Sequence, residues 1–141
     1  MNVSTLVLEP IHEHGRFTYD FIIDGKSLAK TREFRQYNLV GCLDVNNQDW
    51  SSNAANALRL MAPADTGAPT RCMLFVCSEC GDLGCGAITA QVSRRENCYV
   101  WSDFRYENHD PAMTEDYAHI GPFFFLATAY ESALAGIGAL D

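Results

Sequence analysis

The residues best suited to chemistry in this sequence are three cysteines in one short stretch, at positions 77, 80 and 85. Cys77 and Cys80 form a Cys-x-x-Cys pair, the spacing of a zinc knuckle, in which the turn between the cysteines folds back and brings both thiolates to one ion. Gly81 follows the pair and relieves the backbone where such a turn is tightest. Cys85 and Gly86 partly repeat the pattern. The stretch therefore predicts a zinc site with Cys77, Cys80 and Cys85 as ligands.

The fourth ligand of this site stays open, because a structural zinc ion takes four ligands and the sequence has no second Cys-x-x-Cys pair. The candidates are Cys42, Cys72, Cys98 or a histidine. The histidines form no His-Glu-x-x-His pattern, and each is expected to be an exposed loop residue. They are His12, His14, His109 and His119.

Two other interpretations of the same stretch also stay open. The spacing of Cys77 and Cys80 matches thioredoxin-like redox sites, in which a helix N-terminus lowers the pKa of one thiol. However, the glycine-rich segment after Cys80 does not favour a helix, and Glu79 and Asp82 would disfavour a thiolate. In the other interpretation the cysteines are small apolar groups in a hairpin loop whose glycines supply positive φ angles.

The cysteine stretch also carries a resemblance to a known family. Cys-Ser-Glu-Cys-Gly-Asp-Leu-Gly-Cys-Gly-Ala-Ile-Thr, which starts at Cys77, is followed by Val-Trp-Ser-Asp-Phe, which ends at Phe104. This combination resembles the motif of small uncharacterised bacterial proteins, some of which carry the label oxidoreductase. The resemblance covers residues 72–106 and, less specifically, a Tyr-Asp-Phe-Ile-Ile-Asp-Gly hairpin that starts at Tyr19. It implies a shared motif rather than a particular substrate.

The second strong signal is negative charge. The chain has 18 acidic and 10 basic residues, a formal net charge of −8, and seven of the acids but one of the bases lie after residue 102. Such a field repels phosphate backbones, so nucleic-acid binding is not expected. A concentration of carboxylates indicates a surface for a basic protein partner, although it also occurs as a solvated face that aids solubility.

The predicted partner-binding surface combines aromatic anchors with carboxylates that could meet lysines and arginines. Its residues are Trp101, Asp103, Tyr106, Glu107, Asp110, Glu115 and Asp116. Trp101 has a second interpretation, as a core residue. By size and charge the chain also resembles immunity proteins of contact-dependent bacterial toxin systems. The first hypothesis is therefore a non-enzymatic immunity protein that covers the active surface of a cationic, nuclease-type toxin. The alternative is a zinc-knuckle or thiol-redox protein centred on the three cysteines.

The start of the chain and its apolar stretches predict a cytoplasmic location without a membrane partner. The first 25 residues lack a basic segment followed by an apolar block, and the longest strongly apolar stretch, residues 123–130, is shorter than a membrane span. In a reducing compartment most of the six cysteines are expected to be thiols.

The strands and helices predicted from the sequence, which must position these residues, indicate an α+β fold. A length of 141 residues with 48% apolar residues suits one domain over residues 1–141. Apolar or alternating patterns predict strands over residues 2–8, 16–23, 38–43, 71–77, 86–93 and 98–104. A helix is expected to be capped at residues 51–53, a loop to span residues 61–70, and a C-terminal helix to open at Gly121 and Pro122. We therefore expect a mostly antiparallel sheet of about five or six strands with the C-terminal helix packed on it.

Overall fold

The computed structural model describes residues 2–62, 66, 70–81 and 83–137. Within these residues the chain forms two antiparallel sheets and two α-helices, which confirms the predicted α+β class. The elements are β1 (Leu6–Glu13), β2 (Arg16–Ile23), β3 (Lys26–Ser27), β4 (Leu39–Gly41), α1 (Gln48–Leu58), β5 (Arg71–Cys77), β6 (Ala87–Arg95), β7 (Cys98–Glu107), β8 (Glu115–Asp116), β9 (Phe123–Leu126) and α2 (Ala127–Ala135).

The larger sheet has six strands and contains the segments that flank the cysteines. Its order is β4-β5-β6-β7-β8, and β9 pairs with the first half of β7. The smaller sheet has the order β1-β2-β3. β5 and β6 are antiparallel neighbours, so the chain between Cys77 and Ala87 is a connection at one end of the larger sheet. This is the position that the sequence predicts for the cysteines.

The core lies where β2, β7, β9 and α2 meet around Trp101, which has no exposed surface. The indole packs edge-on against Phe21 at 5.3 Å and Phe125 at 5.1 Å between ring centroids. Its N–H donates a hydrogen bond of 2.9 Å to the hydroxyl of Tyr130. Tyr130 also stacks on Tyr99 of β7 at 4.2 Å, which confirms that the C-terminal helix packs on the sheet.

The N-terminal elements differ from the prediction at their boundaries. β1 covers Leu6–Glu13 rather than residues 2–8 and continues through Pro10. An edge strand tolerates this proline, because one side of the strand has no neighbour that needs its N–H. α1 begins after Asn47, whose side chain accepts the N–H of Trp50 at 3.1 Å, rather than at residues 51–53. Asparagine caps a helix as well as serine does, so several neighbouring residues compete for that role in a sequence pattern.

The C-terminal helix also begins later than predicted. Phe123–Leu126 is strand β9, paired with Cys98–Trp101 of β7, and α2 begins only at Ala127. Three consecutive phenylalanines suit a strand, and the backbone groups of β7 provide the partner that a local pattern does not reveal. Leu126, the last residue of β9, is exposed.

Most of the predicted loop at residues 61–70 lies outside the described residues, as does Asp82. Among the described residues, no helix combines the length and the apolar character needed to cross a membrane.

Candidate metal site

The connection between β5 and β6 gathers the sulfur atoms of Cys77, Cys80 and Cys85. All three Sγ atoms lie within 4.8 Å of one another. Cys77 is the last residue of β5 and is half-buried, Cys80 follows in an exposed turn, and Cys85 ends a short 3-10 helix, Leu83–Cys85. Three thiolates at this separation can converge on one tetrahedral ion with small movements of their side chains.

Two glycines give the connection its shape. Gly81 has a φ of +66° and donates its N–H to the carbonyl of Cys77 at 3.0 Å, which closes the turn. Gly86 has a φ of +117°, and a Cβ placed there would lie 2.7 Å from the hydroxyl of Tyr106. Both positions therefore require glycine, and the tight backbone predicted after Cys80 is confirmed at Gly81.

Two side chains from other elements, Arg16 and Trp50, contact the turn and are together called the clamp. Arg16 of β2 donates through Nη1 to the carbonyl of Ser78 at 3.2 Å, and its Nη2 lies 2.5 Å from Asp44 Oδ2. Trp50 of α1 lies against Gly81, where an added Cβ would be 3.3 Å from the ring. A cavity of about 130 Å³ opens between this clamp and the cysteines, lined by residues that include Arg16, Asp44, Trp50, Cys77 and Cys80.

Two of the three clustered cysteines are joined. Cys80 and Cys85 form a disulfide, whereas Cys77 is a free thiol. A disulfide sulfur carries no thiolate, so the joined pair and a three-thiolate metal site are alternative states of the same atoms. Cys42, Cys72 and Cys98 are also free, so the expectation that most cysteines are thiols holds.

The remaining cysteines do not belong to the cluster. The other three cysteines, Cys42, Cys72 and Cys98, are buried. Within the described residues, none of them belongs to the group whose ligand atoms all lie within 4.8 Å of one another. Burial raises the pKa of Cys42 and raises that of Cys72 from 9.0 to about 12. Cys72 points its thiol towards the carbonyl of Ala57, with 3.6 Å between sulfur and oxygen. The structure thus removes all three cysteines from the candidates for a fourth ligand.

One histidine lies at the cysteine connection, and the sequence pattern did not single it out. His109 is exposed, as predicted, but its Nδ1 lies 3.1 Å from the carbonyl oxygen of Gly84, and its backbone N–H donates to the same oxygen at 3.2 Å. Because a carbonyl oxygen only accepts, this contact assigns a proton to Nδ1, and in the neutral imidazole Nε2 then has a lone pair. Metal-bound imidazoles commonly make this second hydrogen bond to a backbone carbonyl. The contact joins residues 25 positions apart in sequence.

The predicted partner-binding surface is only partly assembled. Trp101 is fully buried, so the prediction that it anchors a partner is wrong, and its alternative as a core residue is confirmed. Tyr106 is half-buried and stacks on Tyr37 with ring centroids 4.0 Å apart. A β-bulge between Ser102 and Arg105 interrupts the side-chain alternation of β7, so Trp101 and Phe104 are both buried.

Two of the predicted carboxylates are engaged within the chain. Asp103, at the bulge with a φ of +55°, lies 2.6 Å from Arg71 and 2.8 Å from Arg105. Glu107 accepts the hydroxyl of Thr89 at 2.6 Å and lies 4.0 Å from Arg71 Nη1. The structure therefore balances these charges with its own arginines, which local sequence does not reveal.

The other predicted carboxylates are exposed. Asp110 caps the short 3-10 helix Pro111–Met113 by accepting the N–H of Ala112, and Glu115 and Asp116 form β8 at the edge of the larger sheet. All three carboxylates are at the surface within residues 110–116.

Comparison with known proteins finds no family model, no curated protein and no solved structure that matches this chain.

Proposed function

We propose that this protein binds a thiophilic divalent metal ion, with Zn²⁺ as the first candidate, through Cys77, Cys80 and Cys85. The observation that carries the proposal is the gathering of three sulfur atoms within 4.8 Å of one another at a turn closed by Gly81. Soft thiolate ligands select zinc and related ions over magnesium or calcium. Two positive-φ glycines and the bond from Arg16 to the carbonyl of Ser78 support the turn that carries the cysteines.

His109 is our candidate for the fourth ligand. Three sulfurs leave one position of a tetrahedral ion open. The ring of His109 lies outside the group of ligand atoms within 4.8 Å of one another, but its contact with the carbonyl of Gly84, the neighbour of Cys85, holds it at the connection, so the ring must move towards the sulfurs to complete the site. A Cys₃His site would tie β5, β6 and the segment after β7 together. Structural ions of this kind add binding free energy directly to folding free energy.

The test is metal binding by the reduced, purified protein. Elemental analysis by mass spectrometry should find about one Zn²⁺ per chain. Protein loaded with Co²⁺ should show a sulfur-to-metal charge-transfer absorption and the visible bands of a tetrahedral ion. Changing Cys77, Cys80 or Cys85 to serine should lower metal affinity by more than the roughly 10–100-fold that loss of an outer partner costs. Cys98→Ala, outside the cluster, is the matched control. Reduced protein that binds neither ion would overturn the proposal.

The fourth ligand has a separate test. His109→Ala should weaken Co²⁺ binding by about 10-fold or more and should shift the visible bands, because an imidazole nitrogen is replaced by water. His14→Ala, at an exposed hairpin turn, should change neither property. Unchanged bands for the His109 variant would assign the fourth position to another group while leaving the three-sulfur site intact.

We propose as a second candidate the acidic partner-binding function, an immunity protein for a cationic, nuclease-type toxin. Its support is the net charge of −8 and the exposure of Asp110, Glu115 and Asp116 on one segment. Trp101 is excluded because it is fully buried, and Asp103 and Glu107 are partly exposed but already bonded to Arg71 and Thr89 within the chain.

A pair of charge reversals tests this second candidate. The variant that carries Asp110→Lys and Asp116→Lys should associate more slowly with a cationic nuclease domain, with a weaker salt dependence. The matched control reverses Glu9 and Glu13, two exposed acids on β1, and changes the net charge equally. Equal binding by both variants would show that the segment after β7 is not the partner surface.

A further inference from the structure

The disulfide between Cys80 and Cys85 bears directly on how a metal site at this connection would be regulated. Both cysteines are exposed, they join each other, and Cys77 remains as a thiol within 4.8 Å of them. Two of the three proposed metal ligands therefore form a covalent bond that a bound ion would prevent. Occupancy by metal and formation of the disulfide exclude each other.

We propose that the cysteine cluster is a redox-gated metal site, in which a peroxide oxidises Cys80 and Cys85 to the disulfide and releases the ion. This inference rests on the proposed metal-binding function. Reduced protein holds the metal through all three thiolates. Oxidised protein retains Cys77, which as a single thiolate cannot hold the ion with comparable affinity.

The chemistry balances with hydrogen peroxide as the oxidant. The sulfur of one exposed cysteine attacks the peroxide, the O–O bond breaks, and a sulfenic acid forms with release of water. The sulfur of the second cysteine then attacks the sulfenic sulfur, the S–S bond forms, and a second water leaves. Two electrons pass from the two sulfurs to the peroxide. Two protons from solvent complete the two water molecules, and the ion is released because two of the thiolates that held it have become the disulfide.

The contrast between exposed and buried cysteines explains why the reaction would stop at one disulfide. Cys80 and Cys85 are exposed and adjacent in space, whereas Cys42, Cys72 and Cys98 are at most 2% exposed. The raised pKa of the buried Cys42 and Cys72 thiols keeps them protonated and unreactive. Among the cysteines, peroxide therefore reaches those of the connection and not the three buried ones.

The oxidised state keeps the fold because other contacts hold the connection. Arg16 bonds to the carbonyl of Ser78, Gly81 packs against Trp50, and His109 contacts Gly84. The disulfide closes a short loop, with the two cysteines five residues apart. Oxidation should therefore change metal occupancy and leave the secondary structure unchanged.

The experiment exposes zinc-loaded protein to hydrogen peroxide and follows zinc release with a chromogenic chelator. We expect loss of the bound zinc together with a fall in titratable thiols, after denaturation, from the six of the reduced chain to the four that the disulfide leaves. Differential alkylation and mass spectrometry should place the oxidation at Cys80 and Cys85. Dithiothreitol, followed by fresh zinc, should restore occupancy.

Variants separate this inference from the metal-binding proposal. Cys77→Ser should lose metal affinity yet still form the disulfide with peroxide, and Cys98→Ala should match the original chain in both respects. Circular dichroism confirms that each variant is folded. Zinc that stays bound after peroxide treatment, or zinc release without the Cys80–Cys85 bond, overturns redox gating alone. Reduced protein that never binds zinc overturns both proposals.

Discussion

The hydroxyl of Tyr106 occupies the space that a side chain at Gly86 would need, 2.7 Å from the position of an added Cβ. Tyr106 belongs to β7 and is held by its stack on Tyr37, whereas Gly86 ends the cysteine connection. The contact sets how closely the connection approaches β7. It therefore also positions Cys85, the neighbour of Gly86, relative to the rest of the cluster.

Because of this contact, we expect Gly86→Ala to lower the free energy of unfolding more than a glycine-to-alanine change at a position with open space. Positive φ alone costs an alanine about 1–2 kcal/mol, and the overlap with Tyr106 should add about 1–3 kcal/mol to the loss in free energy of unfolding. Gly15→Ala, also at positive φ but with no atom near the added Cβ, is the matched control in urea unfolding. Tyr106→Phe should recover part of the difference, and equal costs for both glycine variants would contradict the steric argument.

Loss of the clamp should weaken the proposed metal site without touching a ligand. Arg16→Ala removes the bonds to Ser78 and Asp44 and leaves Asp44, only 8% exposed, without its cation. We expect a loss of about 1–2 kcal/mol in unfolding free energy, because Arg16 is 42% exposed and solvent screens the pair. Co²⁺ affinity should fall about 10-fold. Arg95→Ala, an exposed change on β6, should alter neither quantity, and unaltered Co²⁺ affinity in the Arg16 variant would show that the clamp does not order the turn.

Tyr130 should contribute to stability through its hydroxyl as well as its ring. The hydroxyl accepts the indole N–H of Trp101 and donates to the carbonyl of Leu58 at 2.6 Å. Tyr130→Phe leaves both buried partners unsatisfied and should cost about 1–3 kcal/mol by thermal or urea unfolding, with metal binding unchanged. Tyr99→Phe is the comparison, because that hydroxyl bonds to the half-exposed Glu131 and should cost less. A Tyr130→Phe cost no larger than that of Tyr99→Phe would argue against the buried hydrogen-bond pair.

Alkaline pH should lower the free energy of unfolding before the buried thiols and the buried tyrosine ionise in the folded protein. Burial raises the pKa of Cys72 to about 12 and raises those of Cys42 and Tyr130 well above their ordinary values. The unfolded chain therefore loses these protons first. The stability linked to them is complete below about pH 9 and declines as the pH rises towards the folded pKa values.

Each such group contributes up to about 1.4 kcal/mol of lost stability per pH unit in that window. Urea unfolding at a series of pH values checks the slope, and Cys72→Ala should make it shallower. Tyrosinate absorbance measured alongside should show that Tyr130 ionises only as the protein unfolds. A stability that stays constant to about pH 11 would contradict the assigned burial.

Local patterns were enough to predict the sheet that carries the site. The predicted strand at residues 16–23 matches β2, and that at residues 71–77 matches β5, because dense or alternating apolar residues have few other ways to bury themselves. The patterns were less informative where the partner strand decides the conformation. Phe123–Leu126 is a strand only because the backbone of β7 lies beside it.

The amino-acid sequence by itself determined which cysteines come together, because Cys77, Cys80 and Cys85 are close along the chain and the glycines beside them permit the tight turns. Only the tertiary structure decided what surrounds them. Arg16, Trp50 and His109 reach the connection from distant parts of the chain, and Arg71 engages Asp103 across the sheet. Contacts of this kind depend on strand order and on the bulge in β7, and spacing along the chain reports neither.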